Sequence, residues 1–278
     1  MRQKGFCLEV CNGNRSVYDR TFTIHGYGLM IGLGFVFAVA LCGHITKKIG
    51  LSEDDFTNIA ICLLVFGFMG GKLLYILVNI KQFIQAPLAM LGSEGFVVYG
   101  GIIVGIFSIW VYCRIKKLSF LSYMDIMTPA VSITQGFGRI GCFLAGCCYG
   151  RPTDSFFGVV FPEGCLAPAG VKLVPTQLMS ALFDLLMAVF LICMLRRVRY
   201  RGIISGYYLT LYAVGRFIIE YFRGDLERGS IGDLSTSQFI SIFMLIFTAG
   251  YFRYIYRVKL DTGYALPDTG AEQIKKQS

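Results

Sequence analysis

Long apolar runs, separated by short polar segments, dominate the chain. Each run has at least the roughly 20 residues that an α-helix needs to cross the hydrocarbon core of a bilayer. The fourth run is the least apolar and the richest in glycine. The pattern predicts seven helices, over residues 24–46, 56–80, 95–115, 123–147, 173–195, 203–222 and 236–256. We therefore expect an all-α, polytopic membrane protein with about seven transmembrane helices.

Composition agrees with this picture and argues against other classes of protein. Of the 278 residues, 55% are hydrophobic and 15% are charged, whereas a soluble domain carries roughly 25% charged residues. The net charge of +9 is spread between the apolar runs and forms no basic stripe with interleaved aromatic residues. We therefore expect membrane lipid as a partner and no nucleic acid.

The charges of the loops predict an orientation. Lys and Arg are more frequent in the loops after the first, third, fifth and seventh predicted helices than in the other loops, and loops with such an excess face the cytoplasm. We expect an extracytoplasmic N-terminal arm over residues 1–23, one seven-helix membrane domain over 24–257 and a cytoplasmic tail over 258–278. The widest loop, about 149–172, then lies outside.

Three basic residues, Lys72, Arg139 and Arg216, fall within predicted helices. A charge inside a bilayer is costly unless it is paired or solvated, so each marks a candidate functional site. Arg216 has Glu220 four residues later on the same helix face, which is also the spacing of a structural ion pair. Arg139 has no acid at such a spacing, so its counter-ion is Glu220, Asp184 or a bound anion. The planar guanidinium suits phosphate.

Glycine recurs every two to five residues over 136–151, around Arg139. Glycine permits close packing of helix backbones and lets main-chain amides face a ligand. Because close packing alone needs no arginine at its centre, we interpret the segment as a phospholipid head-group pocket. The Gly-x4-Gly-Lys-Ser/Thr pattern of nucleotide-binding loops is missing.

Five motifs stand in order along the chain and touch five of the seven predicted helices. They are Ile24-His25-Gly26-Tyr27-Gly28-Leu29-Met30, Gly70-Gly71-Lys72-Leu73-Leu74-Tyr75, Gly138-Arg139-Ile140-Gly141 with Phe143 and Gly150-Arg151, Pro175-Thr176-Gln177-Leu178, and Gly215-Arg216-Phe217-Ile218-Ile219-Glu220-Tyr221-Phe222-Arg223. Together they resemble the motifs of the prolipoprotein diacylglyceryl transferase family. The resemblance implies a seven-span enzyme of the bacterial cytoplasmic (inner) membrane with its N-terminus outside.

The implied reaction moves a diacylglyceryl group from phosphatidylglycerol to the lipobox cysteine thiol of a prelipoprotein and releases glycerol phosphate. It needs a stabilised phosphate leaving group and an acceptor for the thiol proton. The resemblance implies catalytic roles for Arg139, Arg216, Glu220, Tyr27 and His25. The implied substrate-binding positions are Gly138, Gly141, Cys142, Gly150, Tyr99, Gly100, Gly101, Gln177 and Lys72. We expect no metal and no cofactor.

The chain departs from the family pattern at several polar positions. Tyr99 stands where the family usually has histidine, Cys142 and Cys147 stand at its asparagine and glutamate positions, Val174 replaces the histidine before Pro175, and Ser180 replaces an acid. The candidate proton acceptors that remain are His25, Glu220 and Tyr27. Two alternatives stay open: a related membrane transferase with a different acceptor, and a non-catalytic lipid-binding or transport protein.

The cysteines at the end of the glycine-rich segment leave several interpretations open. Cys142, Cys147 and Cys148, with Cys165 in the outer loop, are packing residues, disulfide partners, or groups with a chemical role such as metal binding. On a continuous helix, residues 142 and 147 fall on roughly adjacent faces. The neighbours Cys147 and Cys148 can hardly pair with each other without strain.

Overall fold

The computed structural model describes residues 26–93, 95–224, 230–231 and 234–261. His25, the predicted arm over 1–23 and the predicted tail beyond residue 261 lie outside these ranges. Within them the chain is predominantly α-helical, with two short antiparallel strand pairs.

Nine helices form in the described ranges. They are α1 (Gly26–Lys48), α2 (Glu53–Val78), α3 (Ile80–Gln85), α4 (Pro87–Leu91), α5 (Val98–Ile115), α6 (Phe120–Ala145), α7 (Thr176–Leu195), α8 (Ile203–Glu220) and α9 (Thr236–Val258). The loop between α6 and α7 contains the paired strands β1 (Val159–Val160) and β2 (Lys172–Leu173). The strands β3 (Ser230–Ile231) and β4 (Leu234–Ser235) pair before α9.

All seven predicted segments are helices, namely α1, α2, α5, α6, α7, α8 and α9. Among the described helices, five have the length and hydropathy of a membrane span, namely α1, α2, α5, α7 and α9. The predicted multi-pass, all-α membrane protein is therefore confirmed. Helices α6 and α8 fall short of that hydropathy because they carry polar and ionisable side chains, so the count of seven spans stays a prediction. The short helices α3 and α4 were not predicted; Pro87 begins α4 at a position where its missing N–H costs nothing.

The described residues divide into two compact units, one drawn from 26–42 and 128–261 and the other from 43–127. In the second unit, α2 and α5 pack glycine against glycine. A Cβ atom on Gly70 would lie 2.6 Å from the carbonyl oxygen of Gly100, and one on Gly101 would lie 2.8 Å from that of Gly67. Only glycine permits so close a backbone approach, which is how helices in lipid gain packing energy.

Lys72 belongs to this second unit, on α2. Its Nζ atom donates to the backbone oxygens of Ser93 at 2.6 Å and Gly95 at 3.4 Å, and lies 5.4 Å from the centre of the Tyr75 ring. The ammonium is therefore satisfied by the segment that precedes α5. Its predicted role in substrate binding stays a prediction.

In the first unit, polar contacts join the helices that carry the arginines. Ser132 Oγ of α6 donates to the backbone oxygen of Asp184 on α7 at 2.7 Å, and the Tyr208 hydroxyl of α8 donates to Gln135 Oε1 of α6 at 2.9 Å. The long loop after α6 has its own small core of Phe161, Ala167 and Leu173, against which Phe143 of α6 packs. These contacts fix the loop and three helices around the C-terminal half of α6.

Candidate functional site

Helix α6 ends in a turn that places two cysteines together. Gly146 has a φ of +67° and is the left-handed residue that stops the helix. The amide of Cys147 donates to the carbonyl oxygen of Cys142 at 3.1 Å, and the amide of Gly146 donates to that of Phe143 at 3.1 Å. This is the Schellman pattern, which folds the residue after the glycine back over the last helical turn. Cys142 and Cys147 therefore meet through the turn, because the helix ends two residues before its predicted end.

A third cysteine joins this pair. The Sγ atoms of Cys142, Cys147 and Cys148 all lie within 4.8 Å of one another, and none of the three is part of a disulfide. The first turn of α7 holds the backbone of the turn in place: Gln177 Nε2 donates to the carbonyl oxygen of Cys147 at 2.7 Å, and Thr176 Oγ1 donates to that of Cys148 at 2.8 Å. We call these three residues the thiol cluster.

The surroundings of Cys148 favour its thiolate. Hydrogen bonds with the side chains of Cys142 and Cys147, together with the positive charge and hydrogen bond of the Arg223 guanidinium, hold the pKa of Cys148 below its ordinary value. Cys165 is disulfide-bonded and lies against the same turn, since a Cβ atom on Gly146 would be 2.7 Å from the Cβ of Cys165. Of the interpretations left open, the disulfide applies to Cys165 and not to the thiol cluster.

Arg139 of α6 and Arg216 of α8 face one narrow cavity of about 10 Å³, roughly the space of a single water molecule. The remaining lining comes from α7 and α8 and consists of Ser180, Phe183, Asp184, Tyr212, Gly215 and Ile219. Asp184 is only 5% exposed and lies near enough for both guanidinium charges to act on its carboxylate. Among the described residues, however, no acid forms an ion pair with Arg139.

One terminal nitrogen of Arg216 is hydrogen-bonded, and the other has no partner among the described residues. Its Nη2 atom donates to Glu220 Oε2 at 3.4 Å and to Ser237 Oγ of α9 at 3.0 Å, so the predicted Arg216–Glu220 ion pair is confirmed. The two charged side chains are 13% and 9% exposed. The Nη1 atom is buried and has no hydrogen-bond partner among the described residues. A buried N–H without an acceptor costs free energy, so this donor needs a further partner.

Tyr27, near the start of α1, packs on α6 at Gly141. A Cβ atom on Gly141 would lie 3.2 Å from both the Cα and a ring carbon of Tyr27. Tyr27 also lies near enough to Arg139 and to the thiol cluster for their charges to act on its hydroxyl. Gly138 differs, since a Cβ atom there would meet only Ile31, at an ordinary 3.7 Å. A Cβ atom would therefore be crowded at 141, whereas one at 138 would fit without displacing its neighbours.

Three backbone segments meet at Gly150. Its amide donates to the carbonyl oxygen of Val174 at 2.9 Å, and the amide of Arg151 donates to that of Phe222 at 3.0 Å. A Cβ atom on Gly150 would lie 2.6 Å from the Val174 oxygen and 2.7 Å from the Phe222 oxygen. Glycine at this position therefore lets the end of the glycine-rich segment pair with the end of the α8 motif.

A groove of about 730 Å³ opens beside Arg151, whose guanidinium lies 5.8 Å from the centre of the Phe222 ring. Its apolar lining comes from the loop between α6 and α7 and from α7, and includes Phe157, Val159, Leu178, Met179 and Leu182. The first unit thus offers a long apolar surface with an arginine at its edge.

Besides Lys72, three predicted site residues belong to the second unit, and another is not described by the structure. Tyr99, Gly100 and Gly101 lie on α5 in the second unit, where Gly100 and Gly101 pack against α2 and Tyr99 is 56% exposed. Their role in substrate binding stays a prediction. His25 lies outside the described residues.

Three residues of the site are not among the predicted site residues, although two of them have a signal in the sequence. Tyr212 stands four residues before Arg216, so the helical spacing predicts a shared face. Thr176 stands beside Gln177 in a motif already noted. Ser237 carries no such signal, because it reaches Arg216 from another helix.

The described helices and the two arginines that face one cavity define the class of the molecule: a helical, multi-pass membrane protein with a cationic site within its helices. Comparison with known proteins identifies the family. Residues 17–254 match the family of prolipoprotein diacylglyceryl transferases, and the chain belongs to that family.

Among its relatives is the phosphatidylglycerol–prolipoprotein diacylglyceryl transferase of Clostridium tetani (strain Massachusetts / E88). It is 48% identical over 225 residues, which is 80% of this chain and 90% of the relative. Transferase 2 of Clostridium perfringens (strain 13 / Type A) is 44% identical over 80% of this chain and 88% of its own length. Transferase 1 of the same organism is 31% identical over 74% and 80%. The resemblance inferred from the five motifs is confirmed.

Proposed function

We propose that this chain transfers a diacylglyceryl group from phosphatidylglycerol to the lipobox cysteine thiol of prelipoproteins and releases glycerol phosphate. Phosphatidylglycerol and prolipoprotein are the substrates that the names of its clostridial relatives give. These relatives align with most of the chain, so the proposal carries over their whole activity and not that of a single domain.

The observation that carries the proposal is the buried Nη1 atom of Arg216, which lies beside Arg139 and has no hydrogen-bond partner among the described residues. Two guanidinium groups share one cavity with a single carboxylate, Asp184, and none of the described acids pairs with Arg139. An anionic group of the substrate would supply the missing acceptors. Phosphate fits because its oxygens accept several charge-assisted hydrogen bonds from arginine.

The arginines act on the leaving group. The acceptor thiolate forms a bond to the glyceryl carbon, the bond from that carbon to the phosphate oxygen breaks, and the electron pair stays on the oxygen. Guanidinium groups in a site of low dielectric stabilise this developing charge. The cavity holds about one water molecule, so Arg139, which pairs with none of the described acids, is the residue that moves to admit phosphate.

We assign the groove beside Arg151 to an acyl chain of the donor. Its volume of about 730 Å³ lies within the range of ligand pockets, roughly 300–1,000 Å³. Its lining is mostly apolar and suits an acyl chain, and the polar side chains that line it are those of Arg151, Thr153 and Ser155. The proton acceptor for the thiol is one of Glu220, Tyr27 and His25. Tyr27 lies close enough to the thiol cluster for the cysteines to act on its hydroxyl.

We further propose seven membrane spans in a bacterial cytoplasmic membrane, with the N-terminus outside and the C-terminus in the cytoplasm. The loop between α6 and α7 is then extracytoplasmic. The disulfide of Cys165 in that loop supports this orientation, since disulfides form and persist in oxidising compartments.

Membranes that contain the chain test the function when they are given phosphatidylglycerol and a lipobox peptide, with thioether formation followed by mass spectrometry. We expect product, and we expect Arg139→Ala to lower its rate by about 100-fold or more, the usual loss when a charge-stabilising donor is removed. Arg114→Ala, which removes an arginine at the end of α5 that lies beside Trp110, is the matched control and should retain activity.

The outcomes separate the three candidate functions. A folded wild-type protein that forms no thioether with any lipobox peptide would contradict the proposal. Binding of phosphatidylglycerol without transfer would then favour a lipid-binding protein. Transfer to a different nucleophile would favour a transferase with another acceptor.

A further inference from the structure

The thiol cluster is the feature that the proposed reaction leaves without a role. Three cysteine sulfurs within 4.8 Å of one another, none of them in a disulfide, form a set of soft ligands. Zn²⁺ binds cysteine sulfur at about 2.3 Å, so two sulfurs on one tetrahedral ion lie about 3.8 Å apart. The side chains of Cys142, Cys147 and Cys148 therefore need only small rotations to share one ion.

The turn that carries the cluster is built before any ligand binds. The Schellman hydrogen bonds join the backbones of Cys142 and Cys147. The carbonyl oxygens of Cys147 and Cys148 are held by Gln177 and Thr176. Outer contacts of this kind orient metal ligands and raise metal affinity. The rigid backbone reduces the entropy lost when the three sulfurs converge on one centre.

Oxidation accounts for the cluster less well than a cation does. Cys147 and Cys148 are neighbours and pair with each other only under strain, and any disulfide with Cys142 leaves one thiol over. A disulfide, that of Cys165, already lies against the same turn, so the surroundings are oxidising. A bound ion would use all three sulfurs and keep them from oxidation.

The charges around the cluster suit a metal thiolate. Three thiolates on Zn²⁺ carry a net charge of −1, and a fourth thiolate makes it −2. The positive charges of Arg139 and Arg223 both act on this cluster. The two positive charges of Arg139 and Arg223 thus match the net charge of −2 on the complex with four sulfurs better than the −1 on the complex with three.

We propose that Cys142, Cys147 and Cys148 bind one Zn²⁺ ion, whose fourth position takes the acceptor thiol. This role rests on the proposed function. The acceptor thiol gives up its proton to one of the candidate acceptors named above as it binds, because a thiol on Zn²⁺ is deprotonated. Its sulfur then forms the bond to the glyceryl carbon while the bond to the phosphate oxygen breaks. The thioether product carries no charge, binds the ion weakly and leaves.

Metal binding is measured first, without reference to activity. The full-length chain, purified in detergent without oxygen and stripped with a chelator, is titrated with Co²⁺ and Zn²⁺. We expect about one ion per chain, with the strong visible bands of tetrahedral Co²⁺ thiolate. Cys142→Ser and Cys148→Ser should lose these bands, whereas Cys193→Ser, which changes an exposed cysteine of α7, should keep them. Binding by the two cluster variants equal to that of wild type would overturn the proposal, as would loss of two thiols to a disulfide without bound metal.

The role of the fourth position is measured next. A lipobox peptide should change the Co²⁺ spectrum, and the same peptide with serine in place of cysteine should not. The stripped enzyme should form thioether at least about tenfold more slowly and recover with Zn²⁺, because an ordinary thiol is only a few per cent ionised at pH 7. Full activity after stripping would overturn the metal proposal and leave the transferase standing. Metal binding without any thioether product would overturn the proposed transferase and, with it, the role of the fourth position.

Discussion

A buried guanidinium needs an acceptor for each of its N–H groups, because little water reaches it. At Arg216 the protein supplies two acceptors for Nη2, a carboxylate from its own helix and a hydroxyl from α9, and none of the described residues supplies one for Nη1. The side chain is therefore oriented by its held nitrogen and presents the unpaired one. Orientation before binding is what makes such donors effective in a transition state.

Replacing Ser237 tests this orientation. Ser237→Ala removes the hydroxyl that accepts from Arg216 Nη2, so we expect kcat/KM for thioether formation to fall about tenfold, the equivalent of a charged hydrogen bond of about 1.4 kcal/mol. Ser241→Ala is the matched control on the same helix, since the Ser241 hydroxyl donates only to the backbone oxygen of Ser237. Equal rates for the two variants would mean that Ser237 does not orient the arginine.

Glycine has different uses in different helices. On α2 and α5 it lets two backbones approach, whereas at Gly146 it adopts a left-handed conformation that ends α6. The first use belongs to a pair of helices and the second to a single helix end. The turn at the end of α6 is what converts a spacing of five residues into a contact between Cys142 and Cys147.

Gly70→Ala tests the packing of α2 on α5. The added Cβ would lie 2.5 Å from the Cβ of Val104 and 2.6 Å from the oxygen of Gly100, so the helices must separate, at a cost of about 1–3 kcal/mol. We expect the melting temperature in detergent to fall by several degrees. The fluorescence of Trp110, the chain's single tryptophan, reports the unfolding. Gly250→Ala on α9, where nothing lies within 4 Å, should leave the melting temperature unchanged. Equal melting temperatures for the two variants would show that this packing does not limit stability.

At the scale of the whole molecule, the seven long helices that the structure describes divide into two kinds. Five of them have the length and hydropathy of a membrane span. The other two, α6 and α8, carry Arg139 and Arg216 and line the cavity together with α7. Their polar side chains make them weak spans in isolation, and neighbouring helices satisfy those groups in the folded protein.

Reporter fusions distinguish seven spans from five. If α6 and α8 cross the membrane, the loop around Gly170 lies outside; if they do not, it lies in the cytoplasm. Alkaline phosphatase, which is active only outside the cytoplasm, should therefore be active when inserted after Gly170 and inactive after Lys117. Low activity at Gly170 would contradict the seven-span proposal.

Much of the fold can be predicted from the sequence, because a helix that must satisfy its backbone in lipid is marked by a long apolar run. All seven predicted helices are present, and the Arg216–Glu220 pair follows from spacing along one helix. Two features do not follow: that no described acid pairs with Arg139, and that Ser237 accepts a hydrogen bond from Arg216. Both depend on which helices are neighbours.

The sequence by itself determined the class, the family and the two arginines, since apolar length, helical spacing and motif order are all properties of the chain read in one dimension. The tertiary structure alone decided that Arg139 and Arg216 share a cavity, that Gly150 joins two motifs, and that three cysteines meet beside α7. Each of these depends on residues far apart in the chain, or on the turn at Gly146, and packing and chain reversal set such distances rather than local pattern.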